Sequence, residues 1–292
     1  MVYFLSILTS IFIAVMIAIN GNLTAVYGVP AATAIIHLVG LLLITGTSVF
    51  RKERLFSVRG LPITLFSGGA IGVATTLFNN MAYGMISVSA IIALSLLGQA
   101  VTSLLIDQYG WFGMPARKFT TGKLIGLLFT IFGIVCLLLD SSFLFLPVLV
   151  SFLSGISIVV SRTINAALGE KTSVMVSAWY NFAVGMVVAL VILFLSGGRS
   201  AFPAAVDTRW WIYLGGTLGV AVVFLSNVTT PRMPAFHLTL ILFAGQVFTG
   251  IALDAAMAQG FSMQSLLGGL LVTIGLSLNV WLDYRSGNLS EL

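Results

Sequence analysis

Charge is what this sequence has least of. Asp, Glu, Lys and Arg make up 7% of its 292 residues while 59% are hydrophobic, and ordinary soluble domains are about a quarter charged. So few charges cannot cover a water-facing surface, which leaves lipid as the outer solvent. Cysteine is nearly absent too. A single Cys136 excludes an intrachain disulfide, a cysteine-based zinc site and an iron–sulfur cluster. HExxH, a nucleophile elbow, a Walker A loop and a carboxylate dyad are all missing, so an enzyme or an ATP-driven pump has nothing to stand on. No cofactor and no metal is expected. The net charge of +5 would suggest nucleic acid in a soluble chain, but here the positives occupy short segments between apolar runs, as cytoplasmic loops do. The expected partners are the lipid bilayer and a small-molecule substrate, not nucleic acid.

What is present is apolar sequence in lengths that cross a bilayer. A spanning helix needs about 20 mostly apolar residues. That ruler places ten, at 2–24, 29–50, 61–83, 86–106, 122–141, 144–168, 172–196, 210–230, 234–253 and 265–283, in an all-α integral membrane protein. The first lacks a basic n-region and exceeds signal-peptide length, so it is read as retained. With ten spans both termini share one side. That side receives ten Lys and Arg residues and the other only Arg199 and Arg209, so both termini are expected to be cytoplasmic.

The chain also repeats itself. Gly98–Asp107, G-Q-A-V-T-S-L-L-I-D, returns 147 residues later as Gly245–Asp254, G-Q-V-F-T-G-I-A-L-D. In the same register Gly68-Gly69-Ala70-Ile71-Gly72 meets Gly215-Gly216-Thr217-Leu218-Gly219, and Asn80 meets Asn227. At an offset of 145, Asn20 meets Asn165 and Gly40 meets Gly185. Shared Gly, Asn, Gln and Asp are hard to obtain by chance in apolar helices. Residues 1–142 and 143–292 therefore read as two repeats of five helices forming one transport domain. Five is odd, so the second repeat enters the membrane upside down, and the loop charges agree. Inverted repeats with a site near the midplane mark secondary transporters.

These residues carry a family resemblance. The chain resembles the drug/metabolite transporter superfamily and, within it, the YdcZ-like inner-membrane exporters, whose half-unit has Asn in the first helix, G-G-x-x-G opening the third and G-Q with a downstream Asp in the fourth. Here these are Asn20-Gly21-Asn22-Leu23, Gly68–Gly72 and Gly98-Gln99…Asp107. Repeat 2 supplies Gly215–Gly219 and Gly245-Gln246…Asp254, but has Ala166-Ala167 in its first helix. The resemblance implies two fused half-units, a bacterial-type inner membrane, and export of small metabolites or drug-like compounds by alternating access. Single half-units of the family are expected to pair, and a homodimer of this fused chain stays open. Small multidrug exporters of the superfamily depend on a glutamate in the first helix, which this sequence lacks. A lipid-intermediate flippase is the second reading of the same architecture.

Polar residues inside the spans are the candidates for function, because each is expensive in lipid. Gln99 and Gln246, and the pairs Asn20 with Asn165 and Asn80 with Asn227, either line a central cavity or bridge helices. Trp179, Tyr180 and Asn181 are a candidate wall for a flat or cationic substrate, or an interfacial aromatic cluster. Asp107 and Asp254 close their helices at opposite faces, as gates or as interfacial hydrogen-bonding residues. Arg162 is the one basic residue within a span and aligns with Ile17. Either it pairs with Asp107 or its head snorkels to the interface. His37 is a candidate proton relay, or a packing histidine. His237 has the same two readings, and the repeat offset does not relate it to His37.

Overall fold

The computed structural model describes residues 1–114, 116, 128, 131–132, 144–197, 209–256, 267, 270–271 and 274–275. The expected spans 122–141 and 265–283 lie outside its continuous stretches. Everything regular among the described residues is helical.

The first helix, α1 (Val2–Phe50), is 49 residues long. Run straight it would extend about 73 Å, more than twice the hydrocarbon core. It breaks at Gly28, where φ is 74° and ψ 164°, a left-handed backbone that glycine adopts without a Cβ penalty. Pro30 follows in the first turn of the second limb, where its missing N–H costs little. The two limbs then run back along each other. A Cβ on Gly215 would meet Asn20, and one on Gly216 would meet the backbone of Ile36 and Gly40. Asn20 and Ile36 stand eight residues on either side of Gly28, so neighbouring glycines can touch both only if the chain doubles over. The expected spans 2–24 and 29–50 are these two limbs.

The next expected span opens as a 3-10 turn, Ile63–Phe66, and continues as α2 (Ser67–Ala82). α3 (Val88–Tyr109) is capped by Ser87, whose Oγ accepts from the Ala90 N–H at 3.2 Å, and stops at left-handed Gly110. It runs three residues beyond the expected end, which moves Asp107 into its last turn. α4 (Phe145–Lys171) and α5 (Val174–Leu195) follow, with Ser173 capping α5. A second 3-10 turn, Trp210–Leu214, leads into α6 (Gly215–Thr229), and α7 (Ala235–Ala256) ends the continuous structure. Among the described residues six helical stretches are long and apolar enough to cross a membrane.

The helices are inside out by the standards of a soluble protein. On α1, Ser6, Thr9 and Ser10 are buried while Tyr3, Phe4 and Ile7 face outward. Each buried hydroxyl donates to a carbonyl one turn back: Ser6 to Val2, Thr9 to Leu5, Ser10 to Ile7. That removes the penalty of an unpaired group in hydrocarbon. Small residues also set the helix contacts. A side chain at Gly98 would run into the Phe152 carbonyl, and one at Gly155 into the Ser95 carbonyl, so α3 and α4 touch backbone to backbone. Gly245 of α7 lies against Ser10 of α1, which stands where Gly155 stands in the repeat. Such close approach is how helices associate without a hydrophobic drive between them. The resulting neighbours include α2 with α4, α6 with α1, α3 with α4, α5 with α1, α7 with α1, and α3 with α7.

Candidate functional site: a central cavity and two helix clasps

A cavity of ≈ 120 Å³ lies between both limbs of α1 and helices α2, α4, α5 and α6. Of the candidate residues, Asn20, His37, Arg162, Asn165 and Asn227 line it. Asn80 and Tyr180 do not, and their chain neighbours Asn79 and Asn181 take the place expected of them. Gln99, Gln246, Asp107 and Asp254 are buried elsewhere in α3 and α7. Gln99 Nε2 reaches Ser95 Oγ at 3.5 Å, and its Oε1 accepts no hydrogen bond among the described residues. The two glutamines therefore do not form the cavity wall expected from the sequence, because α3 and α7 pack outside the ring of helices that surrounds it.

The lining is paired by the sequence offsets. At 145 residues Ile13 matches Ile158, Met16 matches Ser161, Asn20 matches Asn165, Ile36 matches Asn181 and His37 matches Phe182. At 147 residues Gly72 matches Gly219, Thr75 matches Val222, Thr76 matches Val223 and Asn79 matches Ser226. Among the described residues only Arg162 and Asn227 line the cavity without their counterparts, Ile17 and Asn80. His37 and Phe182 meet each other, ring centroids 5.9 Å apart. The Thr33 carbonyl can only accept, so the His37 Nδ1 that it holds at 2.9 Å carries the ring proton.

One side of the cavity is a hydrogen-bonded polar wall. Asn165 Nδ2 donates to Asn181 Oδ1 at 2.8 Å and to Ser161 Oγ at 3.3 Å, and Ser161 donates to the Gly68 carbonyl at 2.7 Å. Ser177 donates to the Asn165 carbonyl at 2.5 Å and accepts from Asn227 Nδ2 at 3.1 Å. Thr75 and Ser157 join α2 to α4 at 2.8 Å. Repeat 1 has Met16, Ala32 and Ile36 where Ser161, Ser177 and Asn181 stand, so its asparagine lacks the network. Asn20 Oδ1 rests against Gly215 without a hydrogen bond among the described residues. Arg162 is buried and donates from Nη2 to Thr239 Oγ1 of α7 at 3.0 Å, and Thr239 in turn bonds Ser103 of α3 at 2.8 Å. Its Nε and Nη1 have no hydrogen-bond partner among the described residues. Asp107 is within electrostatic reach of Arg162.

Asp107 and Asp254 form the second feature. Asp107, in the last turn of α3, accepts the first free N–H groups of α7, from Ala235 at 3.0 Å and Phe236 at 2.9 Å. Asp254, near the end of α7, accepts those of α3, from Val88 and Ser89 at 3.0 Å each. All three members of one clasp lie 147 residues from those of the other. Each carboxylate satisfies N–H groups that a helix cannot satisfy itself and sits at the positive end of the helix dipole. Because each helix holds the other's start with its own end, α3 and α7 run antiparallel.

Comparison with known proteins assigns this framework. The family model described as "Putative inner membrane exporter, YdcZ" matches the chain in two stretches, residues 1–136 and 146–278. The chain belongs to this family. As a YdcZ-family protein it is a membrane protein of the inner-membrane exporter type, which points to transport. A solved crystal structure 17% identical in sequence, aligned over 97% of this chain and 96% of its own, superposes with a TM-score of 0.66 and shares the fold. No curated protein matches the chain.

Thr75 and Thr76 went unread in the sequence, and Asn181 was expected only as part of an aromatic wall with Trp179 and Tyr180, for one reason. Their helices carry several polar residues, and which of them points inward depends on helix rotation. Asn181 had a signal in hindsight, since it immediately precedes Phe182, the offset partner of His37.

Proposed function

We propose that this protein is a secondary transporter that exports small metabolites or drug-like compounds by alternating access. Ten spans form two inverted five-helix repeats, both termini are cytoplasmic, and the repeats rock about the cavity. The observation that carries this reading is the composition of the cavity wall. Nine pairs of equivalent positions surround one small space, as expected when two copies of a half-unit meet across a two-fold axis at the midplane. The double match of the family model and the reciprocal clasps support the same arrangement. Asp107 and Asp254 then close the two mouths, and opening one side releases one clasp while the other holds. The lipid-flippase reading draws no support from the comparisons.

Cysteine accessibility tests this. Val222→Cys, in a Cys136→Ser background and in vesicles of known orientation, should react with an impermeant maleimide from either face. Holding Asp107 or Asp254 open by substitution with Ala should bias labelling toward one face, in opposite directions. Labelling from a single face in every variant would mean that no alternation occurs.

A further inference from the structure

The two sides of the cavity differ in kind. α2, α4 and α5 present Thr75, Thr76, Ser161, Arg162 and Asn181, whereas the equivalent positions on α6 and α1 are Val222, Val223, Met16, Ile17 and Ile36. All but Ile17 border the space itself. Arg162 is 5% exposed, and two of its three guanidinium nitrogens lack a hydrogen-bond partner among the described residues. No carboxylate lines the cavity among the described residues. Asp107 lies near the guanidinium, but both its oxygens accept backbone N–H groups of α7. Asp107 offsets part of the arginine's charge. With no carboxylate facing the same space and two nitrogens free of hydrogen bonds among the described residues, the site still disfavours a cationic guest and gains charge-assisted hydrogen bonds when an anion arrives. Asn227 Oδ1 and Asn79 Oδ1, on the same lining, are buried acceptors without hydrogen-bond partners among the described residues, suited to a hydroxyl or N–H beside the charge.

Resting on the transporter reading above, we propose that the cargo is an amphipathic anion. Its carboxylate or phosphate engages Arg162 Nε and Nη1, and its apolar body lies on the Val222–Val223 side. The protein thus uses its broken symmetry to orient the guest.

Isothermal titration of the purified full chain with benzoate, benzamide and benzylammonium, which share a ring and differ in charge, tests the inference. Benzoate should bind at least about tenfold more tightly than the other two, the value of a hydrogen-bonded charge pair in a desolvated site. Arg162→Gln should abolish that preference and leave benzamide unchanged, while Arg162→Lys should keep part of it. The double substitution Val222→Thr with Val223→Thr, which copies Thr75 and Thr76, should weaken benzoate without affecting acetate. This second variant keeps the charge in place should the arginine variants fold poorly. Absence of benzoate binding, equal or tighter binding of benzylammonium, or a preference that survives Arg162→Gln would overturn the proposal. In nanodiscs, displacement of benzoate by phosphatidylglycerol would assign the anion to a lipid headgroup, and no displacement to a soluble compound. Either result keeps the anionic site. Proteoliposome flux separates the two readings: benzylammonium flux without benzoate binding sinks the anion and keeps the exporter, and benzoate binding without flux does the reverse.

Discussion

At the ends of α3 and α7 the two halves of this protein do the same thing to each other, with Asp107 on Ala235 and Phe236, and Asp254 on Val88 and Ser89. Around the cavity they do different things, with arginine in place of isoleucine, two threonines in place of two valines, and histidine in place of phenylalanine. The contrast has a physical origin. Every helix start exposes N–H groups that must be paired, whichever half it belongs to, so drift at either aspartate is costly. A guest without a two-fold axis would not hold the two cavity walls alike, and on the reading proposed above the differences between them orient it.

The comparison can be broken most severely at the clasps. Asp107→Ala and Asp254→Ala each strand two buried N–H groups, a loss of about 2–4 kcal/mol. In thermal unfolding in detergent both should melt about 5–10 °C below the parent, and by similar amounts. A large difference between them would show that the clasps are not equivalent. Next come Gly68→Val and Gly215→Val, which drive a side chain into the Asn165 and Asn20 amides respectively. Each should cost about 1–3 kcal/mol, Gly68 more than Gly215, because only Asn165 is fixed by a network. Exchanging His37 and Phe182, as His37→Phe with Phe182→His, keeps the ring contact and should change stability by less than about 1 kcal/mol. Transport should nonetheless fall, since the polar ring moves to the other wall. Unchanged flux would mean that the asymmetry is not read by the cargo. The smallest effect belongs to Thr75→Val, which makes α2 resemble α6 and forfeits the bond to Ser157. It should cost about 0.5 kcal/mol, measurable by chemical denaturation.

The spans were readable because a bilayer imposes a length on any segment that crosses it, and eight of the ten expected ranges coincide with described helical segments or limbs. Their ends were less readable. α3 outran its expected end because Gly110, a left-handed stop, lies three residues past the apolar run. The identities 145 and 147 residues apart on which the repeat is proposed are Gly, Asn, Gln and Asp, the residues that apolar drift does not produce. Which polar residues meet was not readable. Gln99 and Gln246 are the most conspicuous repeated pair, and they lie in α3 and α7, away from the cavity. Asn79 and Asn181 line it, while Asn80 and Tyr180, one residue away, do not. One residue is 100° of helix rotation, and only contact with neighbouring helices fixes that angle.

The sequence by itself determined the solvent, the lengths of the helices and the register of one half against the other, because each follows from local composition or from identities along the chain. The tertiary structure decided the rest. It folded α1 back on itself at Gly28, tied the end of α3 to the start of α7 and the reverse, and brought Arg162 to the same small space as His37, Phe182 and three asparagines of the repeat. Those relations depend on how helices rotate and cross, and close packing of glycine against backbone sets both.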